Sequence, residues 1–433
     1  MKAVILAAGK GTRLQPLTLT RPKHLVPVAG KPIIGHVLTT LKQAGINEAL
    51  LIVNYMAESL RQHLGNGAKY EMKLEYAVQE QLNGTAGAAK LAQPYAEDDF
   101  LLTYGDWLTT PQAIDAVLQT HEREKPVVTM GVVPVENPEY YGIVELDDSY
   151  IKRIIEKPSR SEAPTKLANA GVYVLSRRIF EAIEQTKPSA RGELEITDSF
   201  SLLLEEGCRI AGAQIPRSEM FDVGLLWDLL EANRWALGRE RSRIEGNIED
   251  AAHIVGSVTV EEGARIRSGA YILGPAFIGR NSDIGPNCFI RPHTSIGESV
   301  RIGNACEVKN SIVMDNTHIG HLSYVGDSII GQSCNLGAGT TVANYRFDGG
   351  TIKMSIKDSA MDTGRRKLGV VLGDEVKTGI NTSLMPGVKV GNNSWIGPGV
   401  VVYRDVLPNS VLLLKQEHEQ RESTATSSVA SKS

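Results

Sequence analysis

The sequence predicts a two-domain protein, in which an α/β domain with a mostly parallel sheet is followed by a β-helix of hexapeptide repeats. In the first half, apolar strand-like runs alternate with helical segments, a pattern typical of βαβ units. In the second half, aliphatic residues recur every six positions, which suits a solenoid with three short faces. A length of 433 residues is ample for two or three domains with buried cores.

The segments of the first half are predicted as strands over residues 4–6, 49–53 and 100–102, and as helices over residues 34–45 and 58–64. Strands and helices in this order form a parallel sheet with helices on both faces. Ligands of such sheets bind beyond the carboxyl ends of the strands. We therefore expect functional residues in the loops that follow the strands.

The repeat of the second half opens with an unbroken run of aliphatic residues. They are Ile254, Val260, Ile266, Ile272, Ile278, Ile284, Ile290, Ile296, Ile302 and Val308. The frame then shifts by one residue twice and continues to Val402, with a break over residues 344–368. Neither an α-helix nor an alternating strand has a period of six, whereas a solenoid points one such side chain inward from each face.

These patterns divide the chain into four parts. Residues 1–227 form the α/β domain, and residues 228–250 are predicted as a linker helix. Residues 251–415 form the β-helix, and residues 416–433, which contain almost no apolar side chains, are predicted as a disordered tail. The change of period implies that the two domains are independent of each other.

Composition excludes several classes of protein. Hydrophobic residues at 42% and charged residues at 22% are close to globular averages, which excludes global disorder. A net charge of −4 argues against nucleic acid or anionic membrane partners held by charge. The apolar run at the N-terminus is too short for a signal sequence, and no run reaches the ~18 residues of a membrane span. The four scattered cysteines indicate reduced thiols, so we expect a cytoplasmic protein.

A loop of small residues, 6–14, follows the first strand and reads Leu-Ala-Ala-Gly-Lys-Gly-Thr-Arg-Leu. Glycines let backbone N–H groups approach phosphate oxygens, and Arg13 adds a forked cation. A second segment, Arg21-Pro22-Lys23, presents a lysine on a chain stiffened by proline. The two segments together resemble the sugar-1-phosphate nucleotidylyltransferase family, and this resemblance continues to about Asn233.

The resemblance implies an α/β nucleotidyltransferase fold of Rossmann-like type and a set of site residues. Lys23 and Arg13 are the catalytic cations, and Asp106 and Asp222 hold Mg²⁺. Val223 stands where threonine is commoner in the family. The implied nucleotide-binding residues, with Gln79 and Gly84 contacting a pyrimidine base, are Leu6, Ala7, Ala8, Gly9, Gly11, Thr12, Gln79, Gly84 and Thr85. The implied sugar-phosphate pocket consists of Gly142, Glu156, Lys157, Asn169 and Gly171.

The β-helix carries a second set of chemical residues. The block Gly320–Asp327 contains a histidine and a tyrosine three residues apart, and Arg291, Glu307 and Lys309 precede it. The order of these motifs resembles the acetyltransferase domain of the bifunctional glucosamine-1-phosphate acetyltransferase/N-acetylglucosamine-1-phosphate uridylyltransferase family. That family implies a left-handed parallel β-helix.

In the resemblance, His321 is the general base that takes a proton from the 2-amine of the sugar, and Glu307 orients its imidazole. The remaining acetyltransferase residues bind the phosphate or line the sugar and acyl pocket. They are Arg291, Lys309, Tyr324, Asn335, Asn344, Tyr345 and Lys353. Acetyl-CoA is assigned to Ala338 and Gly339.

The sequence departs from the bacterial pattern after Asn344-Tyr345, where Arg346-Phe347 replaces an immediate Asp-Gly, and it looks more like the archaeal bifunctional enzymes. Residues 344–368 also carry six basic side chains. We expect this loop to reach a neighbouring subunit of a homotrimer and to help close a pocket around phosphates. A solvated surface loop is the alternative, since runs of charge usually are just that.

The resulting hypothesis is a cytoplasmic bifunctional enzyme of UDP-N-acetylhexosamine synthesis. It acetylates glucosamine-1-phosphate, with galactosamine-1-phosphate as the alternative substrate, using acetyl-CoA, and then transfers a uridylyl or thymidylyl group from UTP or dTTP with Mg²⁺. One alternative is a monofunctional nucleotidylyltransferase whose β-helix is structural or regulatory, and another is a non-catalytic assembly subunit. The sequence leaves open UTP against dTTP, gluco against galacto sugars, and trimer against hexamer.

Overall fold

The computed structural model describes residues 1–357 and 359–421. Most of the tail that we expected to be disordered, residues 422–433, therefore lies outside the described residues. Residues 416–421 contain neither helix nor strand. Within the described ranges, no helix has the length and apolar character needed to cross a membrane.

The α/β domain comes first in the chain. Its helices are α1 (Ile33–Gln43), α2 (Ala57–Leu64), α3 (Thr85–Lys90), α4 (Pro111–Glu124), α5 (Ile179–Gln185), α6 (Ile196–Glu205) and α7 (Asp228–Leu237). Its strands are β1 (Ala3–Ala7), β2 (Pro27–Val28), β3 (Lys31–Pro32), β4 (Glu48–Val53), β5 (Lys73–Val78), β6 (Phe100–Tyr104), β7 (Trp107–Thr109), β8 (Val128–Pro134), β9 (Gly142–Asp147), β10 (Tyr150–Glu156), β11 (Leu167–Leu175), β12 (Ile210–Gln214) and β13 (Met220–Asp222). The five elements predicted for this half are confirmed, with ends that differ by at most two residues.

Nine of these strands form one sheet in the order β5-β4-β1-β6-β11-β8-β12-β10-β9. The first four strands run parallel, as expected for βαβ units, and β11 runs antiparallel to β6 and β8. Because β1 and β6 are parallel neighbours, the loops that follow them lie side by side. The Gly105 N–H donates to the Leu6 carbonyl at 2.9 Å. The glycine loop and the loop that carries Asp106 therefore meet at one edge.

The second domain is a β-helix of three parallel sheets, which we call the first, second and third faces in the order the chain visits them. The first face consists of Arg243–Ile244, Val258–Val260, Ala276–Ile278, Thr294–Ile296, Ile312–Val313, Ile329–Ile330, Val371–Leu372 and Lys389–Val390. The second face consists of Asn247–Ile248, Arg265–Ile266, Asp283–Ile284, Arg301–Asn304, His318–His321, Asn335–Leu336, Lys377–Thr378, Trp395–Ile396 and Val411–Leu412. The third face consists of His253–Val255, Tyr271–Leu273, Phe289–Ile290, Glu307–Lys309, Tyr324–Gly326, Thr341–Val342, Ser383–Leu384 and Val401–Val402.

The six-residue repeat supplies the core of the β-helix, as predicted. The aliphatic residues of the frame point inward, and from Val260 to Val402 they form one buried cluster. Both one-residue shifts of the frame, after Val308 and after Val325, fall where the chain turns from the third face to the first. The break over residues 344–368 falls at the same corner and contains an antiparallel hairpin of Lys353–Ile356 and Ser359–Asp362. One corner thus absorbs every irregularity of the repeat.

The linker differs from its prediction. We expected a helix over residues 228–250, but α7 ends at Leu237, and Arg243–Ile244 is already paired with the first face. Ile248, which lies six residues before Ile254, pairs with Ile266 on the second face. The hexapeptide frame therefore begins earlier than residue 251, because the polar residues around Ile248 hid its first coil.

The expected independence of the two domains does not extend to their packing, since they share a buried apolar cluster. Residues of the α/β domain, five of them from α7, pack there against outward side chains of the first face and against the hairpin. The solenoid side of the cluster consists of Phe277, Ile312, Met314, Ile329, Ile352, Met354, Ile356, Leu368 and Val371. At Gly30, between β2 and β3, a side-chain Cβ would come within 2.2 Å of the Phe277 ring, so only glycine permits this contact.

A single buried amide connects the two domains within this cluster. The Asn233 side chain on α7 accepts from the Ala29 N–H at 2.8 Å and from the Ser295 hydroxyl at 2.6 Å. Its Nδ2 donates to the His293 carbonyl at 2.8 Å. Since Asn233 is fully buried, these bonds satisfy groups that water cannot reach. They fix the position of α7 on the solenoid.

Candidate active sites

The first candidate site lies at the carboxyl ends of β1 and β6. Asp106 follows β6, and β7 immediately after it pairs antiparallel with β13, so that Trp107 is opposite Asp222. The Val223 N–H donates to the Asp106 carbonyl at 3.4 Å. Two aspartates that are far apart in sequence are thereby brought to adjacent positions. The pairing of β7 with β13 therefore fixes the relative positions of Asp106 and Asp222.

The charges at this site are strongly coupled. Lys23 donates a hydrogen bond to the Asp106 carboxylate as part of an ion pair. Burial is the largest single influence and raises the pKa of Asp106, but the charge and hydrogen bond of Lys23, with smaller contributions from His24 and the backbone, lower that pKa overall. For Asp222, burial and then the negative charge of Asp106 raise the pKa to about 7. Two recessed carboxylates that repel each other form a site that a cation stabilises.

This pair suits the magnesium ion that the family resemblance implies. Carboxylate oxygens are the ligands of a hard divalent cation, which is usually bound by one or two carboxylates together with substrate phosphates. Among residues 1–357 and 359–421, no cluster of three or more His, Cys, Asp or Glu side chains is arranged to hold a metal. Asp106 and Asp222 are therefore an incomplete ligand set that substrate oxygens would complete.

The glycine loop lies against the same residues. A Cβ at Gly11 would come within 2.9 Å of the Lys23 Cβ, so loop and lysine are in close contact. Arg13 is exposed at the start of a short 3₁₀ helix, Thr12–Leu14. A Cβ at Gly224 would lie 3.7 Å from both the Arg13 guanidinium and the Asp222 carboxylate. Arg13, Lys23, Asp106 and Asp222 thus surround one space.

The segment expected to read the base lies beside β5. Gln79 is buried and donates to the Asn83 side chain at 3.0 Å and to the Gly84 carbonyl at 3.2 Å. Thr85, which we expected among the nucleotide-binding residues, accepts from the Ile196 N–H at 2.9 Å. These bonds shape the turn that carries Gln79 and Gly84. They also occupy the Thr85 hydroxyl within the protein.

The expected sugar-phosphate residues come from three neighbouring strands, β9, β10 and β11. Gly142 opens β9 and pairs with Glu156 at the end of β10, while Asn169 and Gly171 lie on β11. The Asn169 Oδ1 accepts from the Gly171 N–H at 2.9 Å. Lys157, directly after Glu156, is exposed. Three separate sequence motifs are thereby brought onto neighbouring strands.

Two charged residues of this domain were missed by the sequence reasoning. The Arg191 guanidinium pairs with Glu156 at 3.3 Å and with Glu195 at 2.7 Å, which places a cation beside the sugar-phosphate residues. Asp228 accepts from the Gly224 and Leu225 N–H groups, and burial raises its pKa to about 6. The signal for Asp228 was its place six residues after Asp222 at the start of a helix.

The second candidate site lies on the third face of the β-helix. Arg291 donates to the Glu307 carboxylate at 2.8 Å, and the Lys309 ammonium lies 3.0 Å from the Asp327 carboxylate. Each pair joins neighbouring coils, because residues 16 to 18 positions apart are adjacent in a parallel solenoid. The two cations expected to bind phosphate are thus brought to one face.

Asp327 connects this site to the corner between the third and first faces. Its buried carboxylate accepts hydrogen bonds from the Lys309, Asn310 and Asn344 side chains. Asn344 also donates to the Tyr324 hydroxyl at 3.1 Å. The sequence motif included Asp327, but its role was missed because its partners come from the coil before it and the coil after it.

His321 lies at the opposite edge of the third face, where the chain turns from the second face. Its side chain is exposed, and the Gly339 N–H donates to its carbonyl at 3.2 Å, which places Ala338 and Gly339 beside it. The Glu307 carboxylate, which we expected to orient the imidazole, accepts a hydrogen bond from Arg291 here, and its role toward His321 stays a prediction. No side-chain partner of His321 occurs among the described residues.

Three expected acetyltransferase residues lie apart from this cluster. Asn335 is on the second face between His318 and Lys377. Tyr345 is 51% exposed and bridges Lys367, and Lys353 opens the hairpin. The hairpin packs on the chain's own first face through Ile352, Met354 and Ile356. Much of the segment that we expected to reach a neighbour is therefore held by its own chain.

Known protein families match both domains. A nucleotidyl transferase model matches residues 2–238, a model described as the GMPPB C-terminal domain matches residues 272–385, and a bacterial hexapeptide transferase model of six repeats matches residues 369–404. The crystal structure of a UDP-glucose pyrophosphorylase with UDP-glucose matches with a TM-score of 0.50 at 24% identity, over 55% of this chain and 99% of that chain. That likeness concerns the fold of the α/β domain.

Relatives of similar length match nearly the whole chain. A protein of Methanococcus maripaludis (strain C7) named bifunctional protein GlmU is 45% identical over 418 residues, which span 96% of this chain and 98% of that protein. A protein of Sulfurisphaera tokodaii named bifunctional sugar-1-phosphate nucleotidylyltransferase/acetyltransferase is 41% identical over 413 residues, 94% of this chain and 98% of that one. The similarity includes both candidate sites.

The packing of Tyr324 predicts the effect of one small substitution. A Cβ at Gly326 would come within 2.4 Å of the Tyr324 hydroxyl and 2.8 Å of the Asn344 Nδ2. Gly326→Ala should therefore displace Tyr324 and lower CoA release by about 10-fold, since small misplacements of positioning groups are costly. Pyrophosphate release should stay within about 2-fold. Gly320→Ala, where a Cβ meets nothing within 4 Å, is the matched control. Equal CoA release by both variants would contradict this account.

Proposed function

Because the chain belongs to the family of bifunctional sugar-1-phosphate nucleotidylyltransferases/acetyltransferases, we propose that its two sites catalyse consecutive steps of UDP-N-acetylhexosamine synthesis. The third-face site acetylates a hexosamine-1-phosphate with acetyl-CoA. The α/β site then joins the product to the nucleotide of UTP or dTTP. The observation that carries the proposal is the pairing of Asp106 and Asp222 around Lys23, at the edge where the glycine loop ends.

In the nucleotidyl transfer, an oxygen of the sugar-1-phosphate attacks the α-phosphorus of the nucleotide. The new P–O bond forms as the bond between the α-phosphorus and the bridging oxygen breaks, and pyrophosphate leaves. Such reactions depend on alignment and charge stabilisation more than on covalent help from the protein. Lys23 and Arg13 are placed to stabilise the developing negative charge, and Lys157 and Arg191 border the sugar phosphate.

Asp106 and Asp222 would hold Mg²⁺, which neutralises phosphate charge when it is bound. Lys23 occupies the Asp106 carboxylate in the described structure. Where these carboxylates held the ion, the Lys23 ammonium would be available to phosphate oxygens of the nucleotide.

In the acetyl transfer, the 2-amine of the sugar attacks the thioester carbonyl, a C–N bond forms, the C–S bond breaks, and CoA leaves as its thiol. His321 takes the proton of the amine as general base. Arg291, Lys309 and Tyr324 would bind the sugar phosphate on the third face. Glu307 pairs with Arg291 and Asp327 pairs with Lys309. These ion pairs hold the two cations in position before the phosphate binds.

The exposure of individual side chains supports two further parts of the proposal, the oligomeric state and the cellular compartment. His321, Tyr345 and Phe347 are exposed around the third face, and Phe347 is fully so, which leaves an acetyl-CoA site open on one side in a single chain. We therefore propose a homotrimer in which a neighbouring copy closes that side. All four thiols are free and three are buried, which supports a reducing, cytoplasmic compartment.

The monofunctional alternative and the non-catalytic subunit are less favoured. The relatives named above are bifunctional by name over nearly their whole length. In this chain, the cations and carboxylates of both sites are present and are brought together. A merely structural solenoid would not need the buried Asp327 and its three donors on one face.

The metal assignment predicts a selective loss. Asp106→Asn or Asp222→Asn should lower pyrophosphate release by at least ~10²-fold, because a carboxylate that holds charge against the transition state is lost. CoA release should stay near the parental rate. Asp147→Asn, at the exposed end of β9, is the control. Parental rates of pyrophosphate release in both site variants would remove these residues from the mechanism.

The converse loss is expected at the other site. His321→Ala should lower CoA release by about 10²–10⁴-fold, the contribution of a positioned base, and retain pyrophosphate release. His318→Ala removes an exposed histidine from the same strand and should leave both rates unchanged. Undiminished CoA release in His321→Ala would show that another group accepts the proton.

The proposed trimer predicts a mass in solution and a residue whose substitution should weaken assembly. Light scattering on the full chain should give three times the 47.0 kDa of one chain. Phe347→Asp should shift this equilibrium toward the monomer and lower CoA release, since a fully exposed aromatic residue is suited to an interface. Tyr403→Asp, at another exposed aromatic position, is the control. A monomeric parent with full CoA release would overturn the closed-site proposal.

A further inference from the structure

The segment that carries Lys23 is anchored to the solenoid just before that residue. Arg21 forms an ion pair with Asp374, which follows the first-face strand Val371–Leu372. Arg21 also donates to the Gln332 side chain at 3.3 Å, and the Thr20 hydroxyl donates to Asp374 at 2.6 Å. Two consecutive residues of the α/β domain are thus fastened to two adjacent coils of the other domain.

This anchor differs from an ordinary surface ion pair. The side chains of Arg21 and Asp374 are only 13% and 11% exposed, whereas those of Lys31 and Glu240 nearby are 47% and 35% exposed. The second oxygen of Asp374 accepts from the Gln332 N–H at 2.8 Å, so the carboxylate is already oriented within the solenoid. Exposed ion pairs contribute little to the free energy of folding. Removing one partner of a recessed, hydrogen-bonded pair destabilises the fold much more, because the remaining charge is left buried without a partner.

The connection from the anchor to the catalytic lysine is short and stiff. Pro22 is the only residue between Arg21 and Lys23, and its ring restricts the backbone φ angle. Lys23 then opens a 3₁₀ turn in which the Leu25 N–H donates to the Pro22 carbonyl at 2.9 Å. A shift of the Arg21 backbone would therefore also shift the backbone of Lys23, because the connection between them is too stiff to absorb it.

The same segment also supports the glycine loop. The Thr18 hydroxyl donates to the Gly11 carbonyl at 2.9 Å, and the Tyr55 hydroxyl donates to the Thr18 carbonyl at 3.0 Å. The backbone at Gly11 lies close against Lys23. Residues 18–23 thus run from the phosphate-facing loop to the solenoid, and their far end is held by Asp374.

We propose that Arg21 is a positioning residue for nucleotidyl transfer, and that the solenoid, through Asp374, holds Lys23 in its working place. This inference rests on the proposed function of the α/β site. It makes the β-helix a structural part of that site. Arg21 itself need not touch the substrate, since its guanidinium is engaged with the solenoid.

The test compares Asp374→Asn with Asp283→Asn in the full chain. Asp283 lies between Arg267 and Arg301 on the second face. Its variant therefore also loses an aspartate–arginine ion pair, but in a place without contact to Lys23. Asp374→Asn should lower kcat for pyrophosphate release by about 10-fold to 10²-fold, since misplaced catalytic groups cost rates of that order. The KM for sugar phosphate and the rate of CoA release should change by less than about 2-fold.

A double variant shows whether the two residues act through each other. Arg21→Met combined with Asp374→Asn should be no slower than the slower single variant, because both remove one interaction. Additive losses would overturn the anchor as the cause. An equal loss of both activities in Asp374→Asn would also overturn the proposal, since it would show general destabilisation.

A readout without catalysis separates this inference from the proposed function. Backbone amides of residues 17–25 should exchange hydrogen faster in Asp374→Asn than in the parent and in Asp283→Asn. If the parent released no pyrophosphate, the proposed function would fail, while the exchange would still decide whether the anchor holds this segment. Parental exchange and parental kcat in Asp374→Asn would overturn the inference.

Discussion

The outward side of the first face is apolar, and the arrangement of both domains depends on covering it. A solenoid strand normally points one side chain inward and presents a polar one to water, as Arg265, Asp283 and Arg301 do on the second face. On the first face, Phe277, Ile312 and Ile329 point outward and are buried. At ~25 cal/mol per Å² of apolar surface, burying these side chains favours a fixed contact with α7 over a flexible link. Asp228 opens α7, so the position of α7 in turn determines where Asp228 lies.

The core of the β-helix and several site residues were predictable from the sequence, because their patterns lie within short segments of the chain. The six-residue period identified the inward side chains, and the motifs after β1 and β6 identified Lys23 and Asp106 before any contact was known. The outward apolar side chains were missed, although the pairs Ile312–Val313 and Ile329–Ile330 carry the signal. Adjacent aliphatic residues in a two-residue strand face opposite sides, so both sides must be buried. The sequence-based expectation of independent domains overlooked that rule.

The partners of the site residues were much less predictable than the residues themselves. In a parallel solenoid the neighbour of a side chain is about one coil away in sequence, so Glu307 meets Arg291 and Lys309 meets Asp327. Where the repeat shifts by one residue, the pairing shifts with it. An assignment of Glu307 to His321 follows from family order but not from the register. Motifs therefore identify the groups present, and the register decides which groups interact.

The insertion at the third-to-first corner joins the two sites physically. Asn344, at its start, donates to Tyr324 on the third face, and Arg365, near its end, donates to Glu231 on α7 at 2.8 Å. The positive charge of Arg365 also acts against burial to lower the pKa of Asp228. Arg346 pairs with Asp348, so at least two of the six basic residues have acid partners among the residues that the structure describes. The insertion thus contacts both the acetyl-transfer and the nucleotidyl-transfer domains of its own chain, while Phe347 and the strand Ser359–Asp362 remain exposed.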